Sequence, residues 1–205
     1  MNSLIILKTE SSYLRSIRAS ITGLWRSQIS SSDFQSSMLA AITRAYNQAA
    51  IEGAKQCGIS VDEMTDEELK KVQELIENEK QYIDGLMGDI VENNQANGGK
   101  LNELIYRANL WSNKYNEVKQ LIRMMACGNK KYKWQTGLGK RSCTDCLNLN
   151  GRVYRGKTWS AAGLAPGCRL LACGAGGKCG CSLDETDERI TRDKLPGIQG
   201  PKRRR

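Results

Sequence analysis

Six of the eight cysteines of this 205-residue chain fall between Cys143 and Cys181, and that crowding constrains the fold more than any other feature. Cys143-Thr144-Asp145-Cys146 is a C-x-x-C pair, and Cys168, Cys173 and the C-x-C pair Cys179-Gly180-Cys181 follow. The C-x-x-C spacing lets two thiolates reach one tetrahedral ion while the turn offers backbone N–H groups to the sulfurs. Gly174, Gly176, Gly177 and Gly180 leave the second loop free to wrap an ion. Residues 128–183 hold few large apolar side chains, too few to offset the entropy of ordering the segment. A structural zinc contributes on the order of 10 kcal/mol of apparent binding energy, enough to fold it. The expected site is one all-cysteine structural zinc centre. Cys143 and Cys146 supply one half, and two of Cys173, Cys179 and Cys181 supply the other.

The chain has no histidine, so a zinc ligand must be cysteine or, failing that, carboxylate. The same absence excludes Ser-His-Asp and Cys-His catalytic arrangements. The apolar run Leu4 to Leu7 is too short to span a bilayer or to form the core of a signal peptide, and no basic residue precedes it. The expected compartment is a cytoplasm, where clustered cysteines bind metal more often than they form disulfides. A disulfide framework is the rival reading. A thioredoxin-type redox pair is disfavoured, because that chemistry wants the motif at a helix N-terminus and here it leads into an expected hairpin. Catalytic zinc is disfavoured because the nearby thiols would close the coordination shell. The chain is therefore expected not to be an enzyme. Cys57 and Cys127, each at the end of a predicted helix, read as small buried fillers.

Four Trp, seven Tyr and one Phe leave the core to aliphatic residues, which favours helix packing over a sheet sandwich. A helix is predicted over 9–29, broken by Ser30-Ser31-Ser32-Asp33. Phe34, Met38, Ile42, Ala45 and Ala49 share one face of a second, which should close near Cys57-Gly58. Thr65 and Glu68 form a capping box that opens a long helix with Leu69, Val72, Ile76, Ile83, Leu86 and Ile90 on one stripe. After a turn at Asn93–Gly99, Leu101, Leu104, Ile105, Ala108, Trp111, Tyr115, Val118, Ile122 and Met125 mark the next helix. Two long helices joined by a short turn should form an antiparallel hairpin. Helical periodicity stops after Cys127-Gly128. Leu147-Asn148-Leu149-Asn150-Gly151-Arg152-Val153-Tyr154 then predicts a tight β-hairpin around its Asn-Gly step. The expected fold is mainly α. A long-helix bundle or helical hairpin covers 1–127, a small cysteine-rich α+β zinc-knuckle-like module with a β-hairpin covers 128–183, and a charged flexible tail covers 184–205.

The net charge of +9 is unevenly spread. Residues 61–95 hold eleven acidic and three basic residues, and residues 96–142 hold ten basic and two acidic, so the two blocks could neutralise each other. Lys131, Lys133, Lys140, Arg141 and Arg152 surround the cysteine module, with Tyr132, Trp134, Tyr154 and Trp159 among them. Interleaved basic and aromatic residues suit single-stranded nucleic acid. The competing reading is a solvated basic surface over a miniature core built on Trp134 and Trp159, and it is the favoured one.

The string Trp134-Gln135-Thr136-Gly137, Cys143-Thr144-Asp145-Cys146, Leu149-Asn150-Gly151-Arg152-Val153-Tyr154, Trp159, Cys173 and Cys179-Gly180-Cys181 resembles the tailed-bacteriophage minor head, or head morphogenesis, proteins. In that family a Trp precedes C-x-x-C-x-x-L-[ND]-G-[KR]-V, and a C-x-C or similar closes the domain. The helices before the motif resemble the family's helical N-terminal region. Many members carry a His-Pro ahead of the final cysteines; here Pro166-Gly167-Cys168 and Cys173 occupy that region. The resemblance implies a structural component of the virion or procapsid, made in the host cytoplasm and associated with the portal vertex. It would support head assembly or DNA delivery, with portal, capsid or scaffold proteins and packaged DNA as partners. No membrane and no small-molecule substrate are implied. The alternatives are a zinc-ribbon nucleic-acid-binding protein and, less favoured, a thiol redox enzyme.

Overall fold

The computed structural model describes residues 2–137, 142–173 and 179–200. The chain is mainly helical, with a small antiparallel sheet and a cysteine cluster toward its C-terminal end. It divides into two compact units, one of residues 1–49 and 69–115, the other of residues 50–68 and 116–205. The unit that contains the cysteine module is thus larger than the 128–183 expected, because the ends of two long helices belong to it.

The first unit is built from four helical segments. Helix α1 spans Asn2–Trp25 and α2 spans Ser31–Lys55. Helix α1 stops four residues short of the expected end because Ser27 takes a left-handed conformation, φ 55°. The N–H of Gln28 then closes on the Gly23 carbonyl. Ser30 and Asp33 cap α2 reciprocally: the Asp33 N–H donates to Ser30 Oγ at 3.1 Å, and Ser30 Oγ donates to the Asp33 carboxylate at 2.7 Å. These bonds hold the Asp33 carboxyl below its ordinary range. Helices α3, Asp66–Glu92, and α4, Leu101–Ala126, run antiparallel. Asp89 meets Arg107, and the Trp111 indole donates to Glu79 at 3.0 Å. Ile17, Ile21, Phe34, Met38, Ile42, Ile83, Leu86, Ile90, Ala108 and Tyr115 fill the core, all fully buried or nearly so. Two positions on α3 depart from its expected stripe. Leu69 is 49% exposed, and Glu79 occupies a core position at 0%.

The second unit begins where α2 closes on Gly58 and crosses the end of α4. A Cβ on Gly53 would sit 2.4 Å from the Lys119 carbonyl oxygen, so only glycine lets the two backbones approach this closely. Glu52 and Lys119 pair at 3.2 Å beside it, each side chain only 10% exposed. The expected capping box is present: the Thr65 N–H donates to Glu68 at 2.8 Å and the Glu68 N–H to Thr65 Oγ1 at 3.3 Å.

Three strands follow, β1 (Lys131–Gln135), β2 (Val153–Arg155) and β3 (Ser182–Glu185), in the order β2-β1-β3 and antiparallel. Lys131 pairs with Arg155 on one side, and Trp134 pairs with Leu183 on the other. The expected hairpin over 147–154 does not form. Thr144–Leu149 is instead a short helix, α5, and β2 pairs with β1. Cys143 caps α5, its Sγ accepting the Cys146 N–H at 3.4 Å, and the buried residues Asp145, Cys146 and Leu149 follow helical spacing. The Asn150-Gly151 step is a turn, as expected, but it returns the chain to β1: the Gly151 N–H donates to the Trp134 carbonyl at 2.9 Å.

A last short helix, α6 (Gly156–Ala161), carries Trp159 into the core of the unit. Trp159 packs against Trp134 at 5.5 Å with the rings tilted by 41°, meets Tyr154 edge-on at 5.1 Å, and its indole donates to the Tyr132 carbonyl. These aromatics are the module's core, as the favoured reading of the sequence has it.

The segment after residue 183, expected as a flexible tail, is instead tied down as far as it is described. Its start is β3. The Thr191 N–H then donates to the Val153 carbonyl at 2.9 Å, and Tyr154 donates to the Asp193 carbonyl at 2.9 Å. Lys202 to Arg205 lie outside the described residues.

Candidate metal centre

Helix α5 presents the first pair of thiols. Cys143 stands at its cap and Cys146 in its first turn, so one turn of helix aims both sulfurs to the same side. The loop after α6 brings Cys173, and the approach to β3 brings Cys179 and Cys181. The sulfurs of Cys143, Cys146 and Cys173 all lie within 4.8 Å of one another, and so do those of Cys146, Cys179 and Cys181. Cys146, nearly fully buried, is common to both groups. All five cysteines expected at a metal from the sequence are therefore brought together.

The geometry offers two overlapping sets of three sulfurs, each close enough to share one ion. Zinc–sulfur bonds of about 2.3 Å place ligand sulfurs roughly 3.8 Å apart. Cys146 Sγ and Cys173 Sγ are 3.7 Å apart. Hydrogen bonds from Cys146 and Cys173 hold the Cys179 thiol far below its ordinary range. The same sharing with Cys173 and Cys179, then burial, pushes Cys146 well above it. Sulfurs this close cannot all ionise without a cation among them, and a bound cation would displace the shared protons.

Two features that support the cluster are not evident as such in the sequence. Asp145, inside the C-x-x-C, is fully buried. Its carboxylate accepts three backbone N–H groups, from Ala172 at 2.8 Å, Gln199 at 2.9 Å and Gly200 at 3.1 Å. One side chain thus ties the loop that carries Cys173, and the C-terminal segment, to α5. Gly137, at the exit of β1, is the second. A Cβ there would sit 2.3 Å from the Gly180 carbonyl oxygen, so the glycine lets β1 touch the C-x-C turn. Burial raises the Cys181 thiol, and the Gly137 backbone works against that rise.

The other cysteines play different parts. Cys168 is fully buried outside both groups, and burial pushes its thiol up to about 11. Cys57 and Cys127, read from the sequence as separate fillers, form a disulfide with their Cα atoms 5.6 Å apart. The close crossing at Gly53 puts the two helix ends within disulfide reach, a juxtaposition invisible to either cysteine's neighbours in sequence.

Of the basic residues named as possible nucleic-acid contacts, the three that are described are engaged within the chain. Lys133 pairs with Glu188 at 2.6 Å, Arg152 pairs with Asp193 at 2.9 Å, and Lys131 donates to the carbonyls of Asp187 and Glu188. Lys140 and Arg141 lie outside the described residues. The aromatics needed for base stacking, Trp134 and Trp159, are fully buried. The C-x-x-C opens a helix after all, so the argument from a hairpin against redox use falls. What distinguishes this motif is that its thiols share their neighbourhood with three others.

No protein-family model matches the chain, and neither the curated proteins nor the solved structures include a significant match. No described helix is long and apolar enough to cross a membrane.

Proposed function

We propose that the chain is a non-enzymatic assembly component of a tailed-phage head, a minor head protein acting near the portal vertex. Its cysteine cluster holds one structural zinc. The observation that carries this reading is the place of the resemblance string in the fold. Trp134 and Trp159 are the buried aromatic pair of the core, and Cys143, Cys146, Cys173, Cys179 and Cys181 are the thiol cluster. Leu149 and Val153 are buried beside them, and Asn150-Gly151 is the turn that joins α5 to the sheet. The residues that carry the resemblance are those that build one folded module, which supports reading the string as a unit rather than as chance spacing.

The zinc reading rests on donor chemistry. Thiolates alone, in a histidine-free chain, suit a soft or borderline ion; a closed tetrahedron of sulfur suits zinc as it suits iron, and a purely structural role favours redox-inert zinc. Four thiolates leave no position for water, so the ion staples the α5 turn, the Cys173 loop and the approach to β3. The partners in this reading are portal, capsid or scaffold proteins, with packaged DNA as a further contact. The test is genetic and compositional. Heads assembled from a genome that encodes this chain should contain it in few copies, and its deletion should reduce DNA-filled heads. Particles that lack the protein, together with normal head yield on deletion, would sink the proposal.

A further inference from the structure

The chain holds cysteines in two chemical states. Cys57 and Cys127 are joined, while Cys143, Cys146, Cys168, Cys173, Cys179 and Cys181 are free thiols. In the cluster Cys146 Sγ lies 3.7 Å from Cys173 Sγ, and the sulfurs of Cys179 and Cys181 lie within 4.8 Å of it. On proximity alone the cluster should oxidise at least as readily as the pair at the helix ends.

We propose that Cys57–Cys127 is a reversible oxidation site, and that an ion on the Cys143–Cys181 cluster makes this pairing unique by withdrawing the competing thiols. The proposal rests on the zinc reading above. A thiolate bound to zinc shares its lone pair with the ion and attacks a disulfide poorly. Cys168 is fully buried and outside the cluster, so no oxidant reaches it. The one cluster thiol beyond the four ligands is left with only zinc-bound sulfurs as neighbours, so half-buried Cys57, just past the end of α2, is the accessible nucleophile whose near partner is also free.

The pair does not depend on its own bond for position. The Gly53 crossing, against Lys119 and Arg123, and the near-buried Glu52–Lys119 ion pair hold the ends of α2 and α4 together just before the two cysteines, and Cys57 Sγ also contacts the Arg123 carbonyl at 3.3 Å. The two helix ends therefore stay within disulfide range when reduced.

With glutathione disulfide as oxidant the step balances. The Cys57 thiolate, after losing its proton, attacks one sulfur and releases one glutathione thiolate. The Cys127 thiolate then displaces the second from the mixed disulfide. Two electrons pass from the protein to the oxidant, and two protons end on the two released glutathione molecules.

The test uses the full chain purified with zinc, reduced with a phosphine, freed of reductant and exposed to glutathione disulfide. Zinc content is measured, free thiols are alkylated, and linked peptides are mapped. Protein that keeps its zinc should yield the Cys57–Cys127 link and no other, and Cys57→Ser should keep its zinc and yield no internal link. After chelation, links among Cys143, Cys146, Cys173, Cys179 and Cys181 should dominate. Zinc-loaded protein that leaves Cys57 and Cys127 alkylated, or that links cluster cysteines, overturns this proposal and leaves the zinc reading standing. Equal fidelity after chelation also overturns it. Protein that never holds zinc overturns both.

Discussion

The carboxylate of Asp145 accepts the backbone N–H of Gly200 at 3.1 Å, which ties the far C-terminal segment to the helical turn between Cys143 and Cys146. Two further N–H groups converge on the same carboxylate, so the cysteine module is closed by one buried carboxylate rather than by apolar packing alone.

Hydrogen bonds to a charged acceptor are each worth about 1.5–3 kcal/mol, and removing the acceptor leaves buried donors unsatisfied. Asp145→Ala should therefore lower unfolding stability by roughly 3 kcal/mol or more, and Asp145→Asn by less. Denaturant titration of the zinc-loaded chain measures this. A loss under about 0.5 kcal/mol for Asp145→Ala would mean that water replaces the carboxylate easily.

Gly137→Ala puts a methyl group against the Gly180 carbonyl, at 2.3 Å before relaxation. The C-x-C turn must retreat, so zinc affinity should fall about tenfold or more while the helical content stays unchanged. Competition with a chromogenic chelator reads the first and far-ultraviolet circular dichroism the second. Unchanged affinity would show that Cys179 and Cys181 are not held through this contact.

Cys168 gives a pH signature. Its folded thiol is raised by burial to about 11, above its value in the unfolded chain. A raised acid pKa contributes stability that is complete below the unfolded value, near 9, and is lost as pH climbs through 11. Wild-type protein should thus lose up to about 2–3 kcal/mol across that window that Cys168→Ala does not lose. Parallel alkaline losses in the two proteins would contradict this.

The nucleic-acid alternative makes a separate forecast. Lys131, Lys133 and Arg152 already face Asp187, Glu188 and Asp193, so binding to single-stranded DNA at low salt should be weak. Lys133→Ala should not change it. Tight binding with a steep salt dependence that Lys133→Ala reduces would favour the alternative.

The helices were legible because their signals are local. Thr65 and Glu68 are three residues apart, and Met38, Ile42, Ile83 and Ile90 repeat at helical spacing. The clustering of Cys143, Cys146, Cys173, Cys179 and Cys181 was legible because the C-x-x-C and C-x-C spacings are local patterns, whereas the buried aromatic and aliphatic core of the same module was underrated. The hairpin was misread because Asn150-Gly151 announces a turn but not which strands it joins. The sulfur cap at Cys143 turned 144–149 into helix. The partners of Asp145 and the Cys57–Cys127 bond depend on chain segments meeting from far apart in sequence, and no local pattern reports such meetings. The charged segment after Leu183 resembled a flexible tail, yet its acidic residues Glu185, Glu188 and Asp193 pair with Lys130, Lys133 and Arg152.

The most direct test of the account is metal content. The chain purified without chelator should carry one zinc per molecule by plasma mass spectrometry. Cys146→Ser, which removes the thiol common to both sulfur groups, should lose it, while Cys168→Ser should keep it. Metal-free protein in which all five cluster thiols alkylate at once under native conditions would contradict the central claim.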